Sequence, residues 1–176
     1  ESAGAKKVFV EEEPKVAAVG AGLDISAPSA SMVIDIGGGT TDIAILSLGD
    51  IVNSKSIRVA GDLFDQDIIK YVKNKYKLII GERTAEDVKI KIGTVYPEEK
   101  KEKMTIRGRD MVTGLPNSIT VNSKEIEESL KDSVHKIVLA TKSVLEETLP
   151  ELSADIVTKG IVVTGGGALL TGLKKL

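Results

Sequence analysis

Residues 31–48, SMVIDIGGGTTDIAILSL, constrain the fold more than any other stretch of this chain. An apolar run, Met32, Val33, Ile34, ends in Asp35, passes through Gly37, Gly38, Gly39, Thr40, Thr41 and Asp42, and resumes as Ile43, Ala44, Ile45 and Leu46. Two β-rich arms joined by so short a loop fold back as a hairpin, which leaves the loop N–H groups free to converge at the strand ends. Such a nest of donors suits an anion, and the glycines let a phosphate approach the main chain closely. Thr40 and Thr41 add hydroxyls. Asp35 and Asp42 fit beside a polyphosphate only if a divalent cation lies between, most simply Mg²⁺ held through water. The segment reads as a metal-nucleotide clamp, against the plainer alternative of a glycine turn that only rounds a corner.

A second cluster has the same character. Ile161, Val162, Val163 and Thr164 form a strand-like run into Gly165, Gly166 and Gly167, followed by the helix-compatible Ala168, Leu169 and Leu170. Glycines at a helix N-terminus would let a flat ring or a phosphate lie against the backbone. Neither cluster is a Walker A loop: Leu173 separates Gly172 from Lys174, and no Ser or Thr follows that lysine.

Composition excludes several classes. A chain of 176 residues with 41% hydrophobic content can bury a core as one domain or two small ones. With 24 basic against 26 acidic residues and a net charge of -2, no nucleic-acid surface is expected. The absence of cysteine rules out a disulfide framework and fits a reducing compartment such as the cytoplasm. No apolar stretch approaches the ~20 residues of a membrane-spanning helix, and the first residues do not read as a signal peptide. Lacking an initiator methionine and ending in a helix-like LKKL, the chain is expected to be a piece of a larger protein.

Patterning along the chain predicts alternating elements. Val8 to Val10 should be a short strand before a turn at Glu11, Glu12, Glu13 and Pro14, and residues 16–22 a short helix. A third strand is expected over 51–60 after the Gly49-Asp50 turn. From Asp62 the period becomes helical, with Leu63, Phe64, Ile68, Tyr71, Val72 and Tyr76 on one side. Thr84-Ala85-Glu86-Asp87 resembles a capping box opening the next helix, and residues 97–103 are charged and solvated. Strands are expected over 104–107 and 118–121, and Ser123 should cap a long helix ending near Pro150. His135 on that helix lies off its apolar face and reads as surface.

This order predicts an α/β protein with an outer subdomain, residues 1–60 and 124–176, carrying both glycine motifs, and an inserted α+β subdomain, residues 61–123. The two motifs must then meet in space and form a cleft against the insert. Glu86 and Lys89, three apart on one helical face, could serve a ribose and an adenine, or Lys89 could pair with Glu86 as an ordinary surface ion pair.

The residues also resemble a known family. VIDIGGGTTDIAILS is similar to the second phosphate motif, and VVTGGGALLTGL to the adenosine motif, of the actin, sugar-kinase and heat-shock-chaperone ATPases. VFVEEEPKVAAVGAGL, SIRVAGDLFDQDII, IGERTAEDVKIKIG, RGRDMVTGLPNSITV and PELSADIVTKGIVVTGGGALL match, in order and spacing, the MreB/Mbl family of bacterial actin homologues. GERTAEDVK together with TGLP is specific to it. Lys15 departs from the pattern, standing where small or apolar residues are usual.

The resemblance implies an actin-like, ribonuclease-H-like ATPase fold of which this chain is the second half, subdomains IIA and IIB. It implies ATP or ADP with Mg²⁺ as cofactors. Gly37, Gly38, Gly39, Thr40 and Thr41 would hold the phosphates, and Asp35 would orient the metal through water. Glu86 and Lys89 would touch ribose and adenine, and Gly165, Gly166, Gly167 and Ala168 would line the adenosine pocket. The glutamate that orients the attacking water is expected upstream of this chain, so no catalytic residue is assigned and the chain alone should hydrolyse almost no ATP. The family forms head-to-tail filaments of paired protofilaments that direct rod shape and cell-wall synthesis. It works at the inner face of the cell membrane with the membrane-anchored adaptor RodZ, and membrane contact is expected only from the other half. A chaperone-type ATPase or a sugar or acetate kinase of the same superfamily is the alternative. The former would need a substrate-binding domain and the latter an acceptor pocket with an aspartate base.

Overall fold

The computed structural model describes residues 2–96 and 101–176. In chain order the elements are α1 (Glu13–Gly20), β1 (Ser31–Ile36), β2 (Thr41–Ser47), β3 (Asp50–Ile57), α2 (Gly61–Tyr76), β4 (Leu78–Ile79) and α3 (Glu82–Ile92). These are followed by β5 (Lys103–Asp110), β6 (Pro116–Asn122), α4 (Ser123–Glu146), α5 (Pro150–Lys159) and β7 (Ile161–Thr164), with single 3₁₀ turns at Gly166–Leu169 and Leu173–Lys175.

The strands form two sheets. In the larger the order is β3-β2-β1-β7. β1 and β2 make the predicted antiparallel hairpin, with Ile36 opposite Thr41 and Asp35 opposite Asp42. β7 lies parallel to β1 on its other side, setting Asp35 beside Thr164. β1 is one of two inner strands, and its continuous apolar run has a physical reason: both faces are covered. Met32, Ile34 and Ile36 enter the main core, whereas Val33 points the other way, to join Ala18, Ala44 and Leu46 in a small core beneath α1.

The smaller sheet, β4-β5-β6, is antiparallel. Its Leu78, Ile106 and Val121 belong to the same main core as Ile34 and Ile36 of the larger sheet. The helices make that continuity. α2 contributes Phe64, Ile68 and Val72, and α4 contributes Ile126, Leu130, Val134, Ile137, Ala140 and Val144 at helical spacing. α4 packs on β2, β3, β6 and α2, and so runs from one sheet to the other.

The structure corrects several boundaries. Val8, Phe9 and Val10 form no strand and are exposed, because no sheet edge among the described residues pairs with them. Glu13 and Pro14 are not a turn but the first residues of α1, where proline's missing N–H costs nothing. α1 is pinned by Lys15, which pairs with Asp50 at 2.9 Å. α3 starts at Glu82, so Thr84 lies inside the helix rather than at its cap. α4 is capped by Asn122, not Ser123: the Asn122 side chain accepts from the Glu125 N–H and Glu125 accepts from the Asn122 N–H. α4 also ends at Glu146, and α5, which the sequence pattern did not predict, begins at Pro150 with one buried residue, Ile156. Of the segment expected to be charged and solvated, residues 97–100 lie outside the described residues, and Lys103 opens β5.

Candidate functional site

The β1–β2 loop is a compact four-residue connection closed by the Gly37 N–H donating to the Thr40 carbonyl at 2.9 Å. Two more of its carbonyls are claimed by the start of α2: the Gly61 N–H donates to Gly37 at 3.1 Å and the Asp62 N–H to Gly38 at 2.8 Å. With the carbonyls drawn back, the exposed Gly38 and Gly39 have N–H groups without an acceptor among the described residues. This is the arrangement an anion needs. Thr40 stands half-buried in the loop, whereas the Thr41 side chain is fully buried and donates to the Val59 carbonyl at 2.6 Å. Thr41 therefore frames the loop from behind and does not face the cleft.

Asp35 lies half-buried at the end of β1, where its Oδ1 accepts from the Thr164 hydroxyl at 2.8 Å. Its register partner Asp42 presents a second carboxylate on the same face. Two like charges so placed favour a cation, and the donor set suits Mg²⁺, which takes few protein ligands and keeps several waters. Among the described residues no group of three or more His, Cys, Asp or Glu could cage a metal alone. Phosphate oxygens and water would have to complete the shell around an ion at Asp35.

The second glycine cluster sits directly against the first strand. A side chain at Gly165, where φ is +83°, would collide with the Ile36 carbonyl and with Asp35, and one at Gly167 would collide with the Ile36 side chain. The missing side chains are thus what let β7 deliver Gly166 and Gly167 to the hairpin. The α-helix expected after them is a 3₁₀ turn of four residues, Gly166–Leu169, too short to carry a helix dipole. Ala168 is half-buried and donates its N–H to the Gly165 carbonyl at 3.2 Å.

α3 supplies the facing wall. Glu86 is exposed, and Lys89 does not pair with it. Lys89 Nζ instead bridges to Asp65 Oδ2 of α2 at 2.8 Å and to the Gly61 carbonyl at 3.0 Å. Helical spacing places Glu86 and Lys89 on one face, but the face points at α2, whose half-buried carboxylate is a better partner than a solvated one. Burial pushes the Asp65 carboxyl above its usual range, against the opposing pull of Lys89. After α3 the chain is stitched to the segment following β7. The Val95 N–H donates to the Thr171 carbonyl at 2.9 Å, and the Thr94 hydroxyl lies 3.2 Å from the same oxygen.

These pieces enclose one cleft of about 390 Å³. Gly37 and Gly38 of the first cluster, Gly166 and Gly167 of the second, and Glu86 and Lys89 of α3 all line it. Asp62, Asp65, Ile90 and Leu169 also line it and were not anticipated from the sequence. Ile90 and Leu169 are 69% and 86% exposed and give the cleft an apolar lip beside the polar loop. Asp35, Gly39, Thr40, Gly165 and Ala168 flank the cleft through their neighbours without lining it.

The family described as MreB/Mbl protein matches residues 1–176. The chain belongs to the MreB/Mbl family. It is 64% identical, over its whole length, to the cell shape-determining protein Mbl of Bacillus subtilis strain 168, covering 53% of that protein. It is 48% identical to the cell shape-determining protein MreB of Escherichia coli K12, covering 51% of it. The chain spans about half the length of the curated relatives it matches. Among solved structures, MreB5 of Spiroplasma citri bound to AMPPNP superposes with a TM-score of 0.95 at 49% identity, over 99% of this chain and 52% of that one. An MreB/Mbl chain thus has the actin-like fold that its two glycine motifs predicted, and the family sets aside the chaperone and kinase alternatives.

Proposed function

We propose that this chain is the nucleotide-binding half of a filament-forming bacterial actin homologue, with ATP or ADP and Mg²⁺ in the cleft between the glycine motifs and α3. One observation carries the reading: the two glycine clusters, about 130 residues apart, converge on a single cleft with Glu86 and Lys89 on its side. Gly38, Gly39 and Thr40 would bind phosphate, and Asp35 would hold Mg²⁺ through water. Glu86 would accept from ribose, and the Ile90–Leu169 lip and Gly166–Gly167 backbone would take the adenine. That the related MreB5 of Spiroplasma citri has been solved bound to AMPPNP supports the nucleotide reading. Residues 1–60 with 124–176 would form subdomain IIA and residues 61–123 subdomain IIB. The whole protein would polymerise head to tail through a heterologous interface that propagates without closing. It would act at the cytoplasmic face of the cell membrane with RodZ and the cell-wall machinery; no helix among the described residues is long and apolar enough to cross a membrane.

The test is sedimentation of the full-length protein with ATP and Mg²⁺, run beside Asp35→Ala. Pelleting of the wild type, with the variant left in solution, is the expected result. A wild type that hydrolyses ATP but stays soluble would sink the filament reading.

A further inference from the structure

The peptide group between Gly61 and Asp62 is held from both sides. Its carbonyl accepts from Lys89 Nζ at 3.0 Å, and its N–H donates to the Gly38 carbonyl at 2.8 Å. Because the peptide is planar, orienting the carbonyl orients the N–H, and a charged donor on one end strengthens the bond made by the other. Lys89 on α3 therefore grips the phosphate-type hairpin at one remove, without touching it.

A lysine on a four-carbon stem does not hold such a position unaided. What seats it is Asp65, one turn into α2, whose Oδ2 lies 2.8 Å from Nζ. The pair is well sheltered, with side-chain exposures of 16% for Lys89 and 14% for Asp65. Asp65 Oδ1 is buried and has no hydrogen-bond partner among the described residues. A carboxylate with one oxygen left bare is a poor device for stability, since apolar packing there would cost less. It is a good device for aiming a cation.

We propose that Asp65 is a positioning residue of the nucleotide cleft: it seats Lys89 on the Gly61–Asp62 peptide and thereby fixes Gly38 in the phosphate hairpin. This rests on the nucleotide reading for its consequence in binding, but the link to the hairpin exists before any ligand arrives. The path has a direction. Asp65 acts through Lys89, Lys89 through the peptide, and the peptide on the loop whose free N–H groups face the anion. Removing either end of the ion pair should loosen the loop equally, and removing both should do no more.

The experiment is a double-mutant cycle in the full-length protein with Asp65→Asn, Lys89→Met and the pair of them. Two readouts are taken: amide exchange at Asp62 without nucleotide, and the Kd for ADP with Mg²⁺. Each single variant is expected to speed Asp62 exchange and weaken ADP binding by about tenfold or more, and the double variant to match Lys89→Met in both. Additive effects, or an Asp62 amide untouched by Asp65→Asn, would overturn the proposal, since a merely structural aspartate would act regardless of the lysine. Should Asp65→Asn fail to fold because it strands the lysine, the comparison of Lys89→Met with the double variant decides alone: equality supports the path and a further loss refutes it. If the wild type binds no ADP while exchange behaves as expected, the nucleotide reading falls and the link from Asp65 to the hairpin stands.

Discussion

Thr40 and Thr41 are chemical twins with opposite duties. The sequence presents two hydroxyls after three glycines, and nothing in their type tells which faces a ligand. Strand register decides it. Thr41 is the first residue of β2, its side chain turned into the core, and Thr40 is the last of the loop. Thr41→Val should therefore cost stability, about 1–3 kcal/mol for a buried carbonyl at Val59 left without its donor, read as a fall in the denaturation midpoint. Thr40→Ala should leave that midpoint in place and weaken nucleotide binding instead. The glycines divide similarly. Gly167→Ala forces a methyl against Ile36 and should destabilise by about 1–3 kcal/mol, whereas Gly166→Ala meets nothing within 4 Å and should not. Asp65 was hidden from sequence reasoning for a different reason: its partner is 24 positions away on another helix, and no local pattern encodes that contact. Asp35, by contrast, stands out locally as a carboxylate between an apolar strand and three glycines, although its bond to the Thr164 hydroxyl, 129 positions away, does not.

Among the elements, the hairpin, α2 and α4 were visible because their apolar periods are long and unbroken, and α5 was not because it buries so little. Caps were the weakest point. Asn122 and Ser123 are both good N-caps, and the choice falls to Asn122 because Glu125, three residues on, closes the capping box. Glu125 is also bound by Lys75 at 2.7 Å and by the Tyr76 hydroxyl, which joins the end of α2 to the start of α4. Burial raises the Glu125 carboxyl, but Lys75, Tyr76 and the Asn122 N–H outweigh it, so its pKa falls below the ordinary 4.5. A depressed carboxyl contributes stability that is present above the unfolded pKa and lost as pH falls through the folded one. Acid titration of the melting temperature should show a drop below about pH 4.5 that is shallower in Glu125→Gln. At neutral pH that variant should be less stable by about 1.5–3 kcal/mol, the range for a lost charged hydrogen bond.

For the molecule as a whole, the two sheets share one hydrophobic core that passes through α2 and α4. The proposed division into an outer part and an insert would therefore be one of topology, since residues of both share the main core. Heat or denaturant should unfold the chain in a single transition, with far-UV circular dichroism and tyrosine fluorescence coinciding; separated midpoints would show that the insert melts on its own. The meeting of the first and last segments was legible because two glycine clusters of one kind were expected to share a ligand, whereas the parallel pairing of β7 with β1 had no signal in the sequence. The stitching of Thr94 and Val95 to Thr171 was not legible either, since it joins segments 77 positions apart that share no local pattern. That same closure sets an order of events in time. The bond between Asp35 and Thr164 spans 129 positions, so as the chain emerges from a ribosome the first hairpin can form early and wait. Until residue 164 arrives there is a loop with bare N–H groups but no cleft. The cleft cannot close until the second glycine cluster, which lines it at Gly166 and Gly167, has been made.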